Sequence, residues 1–117
     1  MAKSLLLICR QPGGTAAREA LDIALAGGAF ELPIALLFMD DGVFQLPVGQ
    51  QATALEQKDL SANLQALPLF GVDDLYVCQA SLARRGLTDA TLSLPVTPLH
   101  GAELPALLAR FDLVMTL

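Results

Sequence analysis

Leu75-Tyr76-Val77-Cys78-Gln79-Ala80-Ser81-Leu82-Ala83-Arg84-Arg85-Gly86-Leu87 is the stretch that decides the fold. Leu75 to Val77 read as the end of a short strand. Ala80 to Arg85 read as a short helix, stopped by Gly86, with two arginines in its last turn where positive charge suits the helix dipole. Cys78 therefore falls where a strand hands over to a helix. In an open parallel sheet that edge is where ligands and chemistry collect. A thiol at a helix start is also easier to ionise, because the free N–H groups favour the thiolate. A free cysteine is equally at home as a small buried apolar residue, so the residue type alone leaves both roles open.

Outward from this stretch the chain alternates strand and helix. Ser4 to Cys9 is a continuous apolar run, as expected of a central strand covered on both faces. Gln11-Pro12-Gly13-Gly14 breaks it. Thr15 to Ala26 follows with Ala17, Ala20, Leu21, Ala24 and Leu25 on one helical stripe, and Gly27-Gly28 reads as the stop. Pro33 to Met39 is a second apolar strand, ended by the turn signal Asp40-Asp41-Gly42. The segment from Val43 to Gln51 is an apolar loop, suited either to a partner surface or to folding over the sheet edge. Thr53-Ala54-Leu55-Glu56 has capping-box spacing, and Leu60, Leu64 and Leu67 line the helix after it, which Pro68 and Gly71 close. Beyond the Cys78 element, alternation of Leu92, Leu94 and Val96 suggests a short strand within 90–96, and Thr97-Pro98 a turn. Ala102 to Arg110 is helical if Pro105 lies in the first turn, and Asp112 to Leu117 is a last strand. This order predicts one domain over residues 1–117, a three-layer α/β/α sandwich with a mostly parallel five-stranded sheet. Cys9 and Cys78 then share the carboxyl edge, with strand order deciding whether they are neighbours.

Composition narrows the function. The chain has 117 residues, 54% hydrophobic, with net charge −5 and mean hydropathy +0.55. A short chain has too much surface to hide that many apolar side chains alone, so an oligomer subunit is expected. No apolar run approaches the about 20 residues of a spanning helix, and Met1 to Cys9 is a poor signal peptide; a soluble, cytoplasmic protein without membrane contact and with reduced thiols is expected. No basic run or aromatic surface suits direct nucleic-acid binding.

The motif search is mostly negative. Gly13-Gly14-Thr15 lacks the lysine and glycine spacing of a phosphate loop. His100, the lone histidine, reads as a solvated loop residue rather than a base. Asp40 and Asp41 could chelate a cation but have the commoner pattern of a turn. No cofactor or metal is expected. A stand-alone small thiol or binding module would need a base or second cysteine near Cys78, and none is adjacent in sequence.

Three blocks carry a resemblance that spans nearly the whole chain: Gly14 to Asp22, Asp40-Asp41-Gly42-Val43-Phe44-Gln45-Leu46, and Val77 to Leu87. Together they resemble the DsrE/DsrF sulfur-relay family, most closely its TusC (DsrF-like) branch. The resemblance implies a compact α/β subunit of a TusBCD-type heterohexamer, with sister subunits TusB and TusD. Such a complex takes persulfide sulfur from TusA and passes it towards TusE for 2-thiolation of the tRNA wobble uridine. Related DsrEFH-like complexes serve dissimilatory sulfur oxidation, which is the alternative pathway. In the family the required persulfide thiol belongs to TusD, at the position matching Cys78. Cys78 is thus the candidate carrier here, in a subunit expected to be more structural than catalytic. Cys9 is expected to be a core thiol.

Overall fold

A computed structural model describes residues 3–47, 62–88, 91–92 and 94–117 of the chain. Five strands form one sheet, β1 (Leu5–Cys9), β2 (Ile34–Phe38), β3 (Asp74–Cys78), β4 (Thr97–Leu99) and β5 (Leu113–Thr116), in the order β4-β3-β2-β1-β5. Every pairing is parallel. Among the described residues the bounded helices are α1 (Gly14–Ala29), α2 (Gln79–Arg84) and α3 (Leu104–Ala109), with 3-10 turns at Asp40–Gln45, Leu67–Phe70 and Gly101–Glu103; residues 62–66 are also helical and lead into the second of these turns.

Handedness explains the layers. From β1 through β2 and β3 to β4 the chain steps across the sheet in one direction, so right-handed crossovers land each connection on the same face. Ala17, Leu21 and Ala24 of α1, Leu64, Leu67, and Leu82 of α2 accordingly pack in one core with Leu7, Leu36, Phe38, Leu75 and Val77. Only the return from β4 to β5 runs the other way. Its helix α3 covers the opposite face, where Leu107 joins Leu6, Ile8, Ala35, Leu37 and Leu99. β2, at the centre, is buried along its whole length.

Four expectations are corrected. Gly27-Gly28 does not stop α1, which runs on to Ala29. Both glycines are contact points: a Cβ on Gly27 would run into Ile34, and one on Gly28 would lie 2.5 Å from the Phe70 carbonyl oxygen. The fourth strand is Thr97–Leu99, not within 90–96, because Tyr76, Val77 and Cys78 pair with Thr97, Pro98 and Leu99. Pro98 is no turn residue there; it is tolerated because β4 is an edge strand. Leu92 instead bridges Pro47 and Leu94 fills the first core. Asp40-Asp41-Gly42 opens a 3-10 helix that takes in Val43 to Gln45. Val43 and Leu46 are buried there, leaving Phe44 as the partly exposed apolar side chain. Pro105 does lie in the first turn of α3. The capping box and Leu60, like residues 48–51, lie outside the described residues.

Besides Phe44, the exposed large apolar side chains among the described residues fall in two groups. The edge strand β5 leaves Leu113, Val114 and Met115 exposed and carries no charged residue, the kind of edge that invites another chain. Phe30, Leu32, Leu69 and Phe70 are exposed at the amino edge of the sheet. Elsewhere on that edge the Ser4 backbone N–H donates to Asp112 at 2.8 Å. That bond and the Ser4 hydroxyl hold the Asp112 carboxyl below its ordinary range.

The tightest backbone approach is at Gly42, where a Cβ would collide with the Cys9 carbonyl oxygen. Gly42→Ala is expected to destabilise the protein by about 1–3 kcal/mol through overpacking. Gly13→Ala, with open space around the added methyl, should stay within about 0.5 kcal/mol. Urea unfolding of the two variants checks this.

Candidate functional site

β1, β2 and β3 all deliver their carboxyl ends to one edge, and the three turns that leave it are tied together. After β2, Met39 N–H donates to the Cys9 carbonyl at 3.1 Å and Gly42 N–H to the Met39 carbonyl at 2.9 Å. Asp40 takes a left-handed conformation, φ 50°, and its backbone N–H donates to the Ser81 hydroxyl at 2.9 Å. Its carboxylate accepts from Arg10 Nε at 2.6 Å, and Asp41 accepts from Arg85 Nε at 3.0 Å. Arg85 Nη1 also reaches the Ser81 carbonyl. Buried Gln45 closes the set by donating to the Gln11 carbonyl at 2.7 Å. The two ion pairs are largely exposed and contribute at most about 1 kcal/mol each. Buried Ser81 is the stronger tie, since its loss leaves the Asp40 N–H unpartnered. Among the described residues no side-chain cluster could hold a metal, and the two carboxylates are taken up by arginines.

Cys78 ends β3 and is the N-cap residue of α2, as its sequence position suggests, and it is half-buried. Gly86 and Arg84 play their expected parts: Arg84 lies in the last turn of α2, and Gly86, at φ 68°, directs Leu87 N–H back to the Leu82 carbonyl; Arg85, expected in that turn too, is instead the residue after it and pairs with Asp41. Cys9 reaches the same edge but is no neighbour. β2 lies between β1 and β3, so the backbones of the two cysteines stand two strand spacings apart, at least about 9.6 Å, beyond the roughly 7 Å Cα limit for a disulfide. They also face opposite ways: Cys9 packs in the first core, sharing it with Val77, and strand alternation turns Cys78 to the other face. Burial pushes the Cys9 thiol from its ordinary 9.0 up to about 12, which makes it an inert core residue.

The sequence reads His100 as a solvated loop residue rather than a base. It is exposed, but the register that pairs Cys78 with Leu99 brings it to the same edge. There its backbone N–H donates to Glu103 at 3.0 Å, starting the turn into α3. Only the strand register, which local sequence does not encode, could have placed it there.

A model of the DsrE/DsrF-like family matches residues 2–117. The chain belongs to that family. A Pseudomonas aeruginosa relative named Protein TusC homolog is 60% identical, with 100% of both chains covered. Protein TusC of Shigella flexneri is 38% identical over 117 residues, 98% of each chain, and Protein TusC of Escherichia coli K12 is equally similar, 38% over 98% of each. The crystal structure of the ychN protein from E. coli shares the fold, with a TM-score of 0.79 at 23% identity over 100% of both chains. The Val77 to Leu87 stretch on which the resemblance rests forms the end of β3, α2 and the turn after it, and the Asp40-Asp41-Gly42 stretch opens the 3-10 turn after β2. The two blocks are joined in space through Asp40–Ser81 and Asp41–Arg85.

Two outcomes are expected of thiol chemistry. In native protein a disulfide reagent such as DTNB should modify Cys78 alone; Cys78→Ser should abolish the native reaction, and Cys9 should react only after unfolding. Stability should also fall as pH rises above about 9. The unfolded state then releases the Cys9 proton while the folded state keeps it up to about 12, so unfolding is favoured across that window and unaffected below it. Urea unfolding from pH 7 to 10.5 reads this slope, and Cys9→Ala should flatten it.

Proposed function

We propose that the chain is a subunit of a TusBCD-type heterohexameric sulfur relay, built with sister subunits TusB and TusD. In this reading the complex receives persulfide sulfur from TusA and passes it towards TusE for 2-thiolation of the tRNA wobble uridine. The observation that carries it is full-length identity of 60% to a Protein TusC homolog and 38% to a Protein TusC, on a fold that ties the turn after β2 to the helix that Cys78 caps. The net charge of −5 suits a protein that hands sulfur to proteins and does not itself hold tRNA.

The role of this subunit is chiefly architectural: it completes the complex and shapes the carboxyl edge where donor and acceptor dock. Cys78 is its one thiol with the access that sulfur transfer needs. Were it loaded, its thiolate would attack the outer sulfur of the donor persulfide. A new S–S bond forms to Cys78, the donor S–S bond breaks, and the donor cysteine leaves as a thiolate that takes up a proton. The sulfane sulfur moves without net oxidation, so no redox cofactor is called for.

Intact-mass measurement of the co-expressed complex, loaded from persulfidated TusA, tests the division of labour. One added sulfur on the TusD chain, unchanged when this chain carries Cys78→Ser, is the expected result. Added sulfur on this chain that disappears in the variant would make Cys78 an obligate relay station instead.

A further inference from the structure

At the amino edge of the sheet, opposite Cys78, lies an open cavity of about 700 Å³ between the end of α1 and the Leu67–Phe70 turn. Its lining includes exposed Leu69, 87% exposed, with Leu32 and Phe70; Phe30, 80% exposed, precedes Glu31 in the chain but is not part of that lining. Gly28, Ala29, Glu31, Pro33 and Gly71 complete the lining. The walls are fixed by close packing, since Gly28 admits no Cβ against the Phe70 carbonyl and Val72.

Glu31 stands out. Among the described residues three helical segments end in the same motif, in which two N–H groups return to the last turn. After Leu67–Phe70 these are Gly71 to Pro68 and Val72 to Leu67; after α2, Gly86 to Ala83 and Leu87 to Leu82; after α1, Glu31 to Gly28 and Leu32 to Gly27. The motif needs a left-handed residue, for which glycine is suited. Gly71 at φ 84° and Gly86 at φ 68° meet it, but α1 uses Glu31 at φ 59°. A side chain there is strained, and a carboxylate just past a helix C-terminus meets the negative end of the dipole. Glu31 opposes stability on both counts, and what it adds is an exposed carboxylate on the cavity rim. The exposed carboxylate of Asp73 follows two residues after Gly71. Among the described residues no lysine or arginine is in the cavity lining; Lys3, on the same edge, acts on Asp112.

We propose that this cavity docks a segment of a partner protein that inserts an aromatic or branched aliphatic side chain and places a lysine or arginine against Glu31. Apolar rim and acidic border together select that chemistry. A second copy docking patch to patch would set Glu31 and Asp73 against their own counterparts, so like charge disfavours it. The surface lies on the edge away from Cys78 and does not depend on the sulfur-relay reading.

The probe is a capped lysine-phenylalanine-leucine-lysine peptide titrated into isotope-labelled full-length protein, followed by amide NMR shifts. Saturable shifts confined to Phe30, Glu31, Leu32 and the 69–71 turn are expected. Glutamates in place of the lysines, or alanines in place of the apolar pair, should remove them. Glu31→Gln should weaken binding about three- to tenfold. Glu31→Gly should weaken it similarly while raising the melting temperature by roughly 3–6 °C, a pairing that mere loss of fold cannot produce. Absence of saturable shifts, equal shifts with the acidic peptide, or a Glu31→Gly protein that melts lower would overturn the proposal. So would concentration-dependent dimerisation in sedimentation that Leu69→Glu abolishes, since the occupant would then be a second copy.

Discussion

The carboxyl edge depends on one close approach, the backbone of Gly42 against the carbonyl of Cys9. Only a residue without a Cβ lets the turn after β2 fold back over the end of β1. Once it does, Met39 N–H can bond the Cys9 carbonyl and Asp40 is carried to within reach of both Arg10 and Ser81. Val43 and Leu46 then drop into the first core. The apolar side chains of this turn, which in an open loop would face solvent, instead help to hold it down.

The same turn sets the environment of Cys78. α2 is only six residues long and could not hold its orientation by helix propensity alone. Ser81 and Arg85 fasten it to Asp40 and Asp41, and Leu82 anchors it in the core. The thiol thus sits on a fixed element at an edge that a partner can reach, while Cys9 is sealed from that chemistry by burial. The two cysteines are separated in role by one intervening strand and by the alternation of the sheet. The proposed scaffold role would call for such rigidity, because a docking edge that moved would lose the geometry of transfer.

Much of this was legible in the sequence. The apolar runs at Leu5–Cys9 and Ile34–Phe38 marked buried strands, and strand–helix alternation marked the parallel sheet. The motif blocks around Asp40 and Cys78 marked the family. What was not legible were the features set by tertiary contact. Gly27-Gly28 has the form of a helix stop, yet it serves close packing against Ile34 and Phe70, and the true stop uses a glutamate. The alternation of Leu92, Leu94 and Val96 is real but fills core, while a proline-containing tripeptide forms the edge strand. Strand order separated Cys9 from Cys78, and register brought His100 to the Cys78 edge; neither is written in local pattern. Among the described residues no helix is long and apolar enough to cross a membrane. Among those residues the exposed large apolar side chains lie along β5, at Phe44, and at and beside the Leu69 cavity.

The most direct measurement is native mass spectrometry of the chain co-expressed with TusB and TusD, as wild type and as Cys78→Ser. An assembly with two copies of each chain, intact in both samples, is the predicted result. A chain that stays apart from both sisters, or an assembly lost with the single thiol, would contradict the account of an architectural subunit.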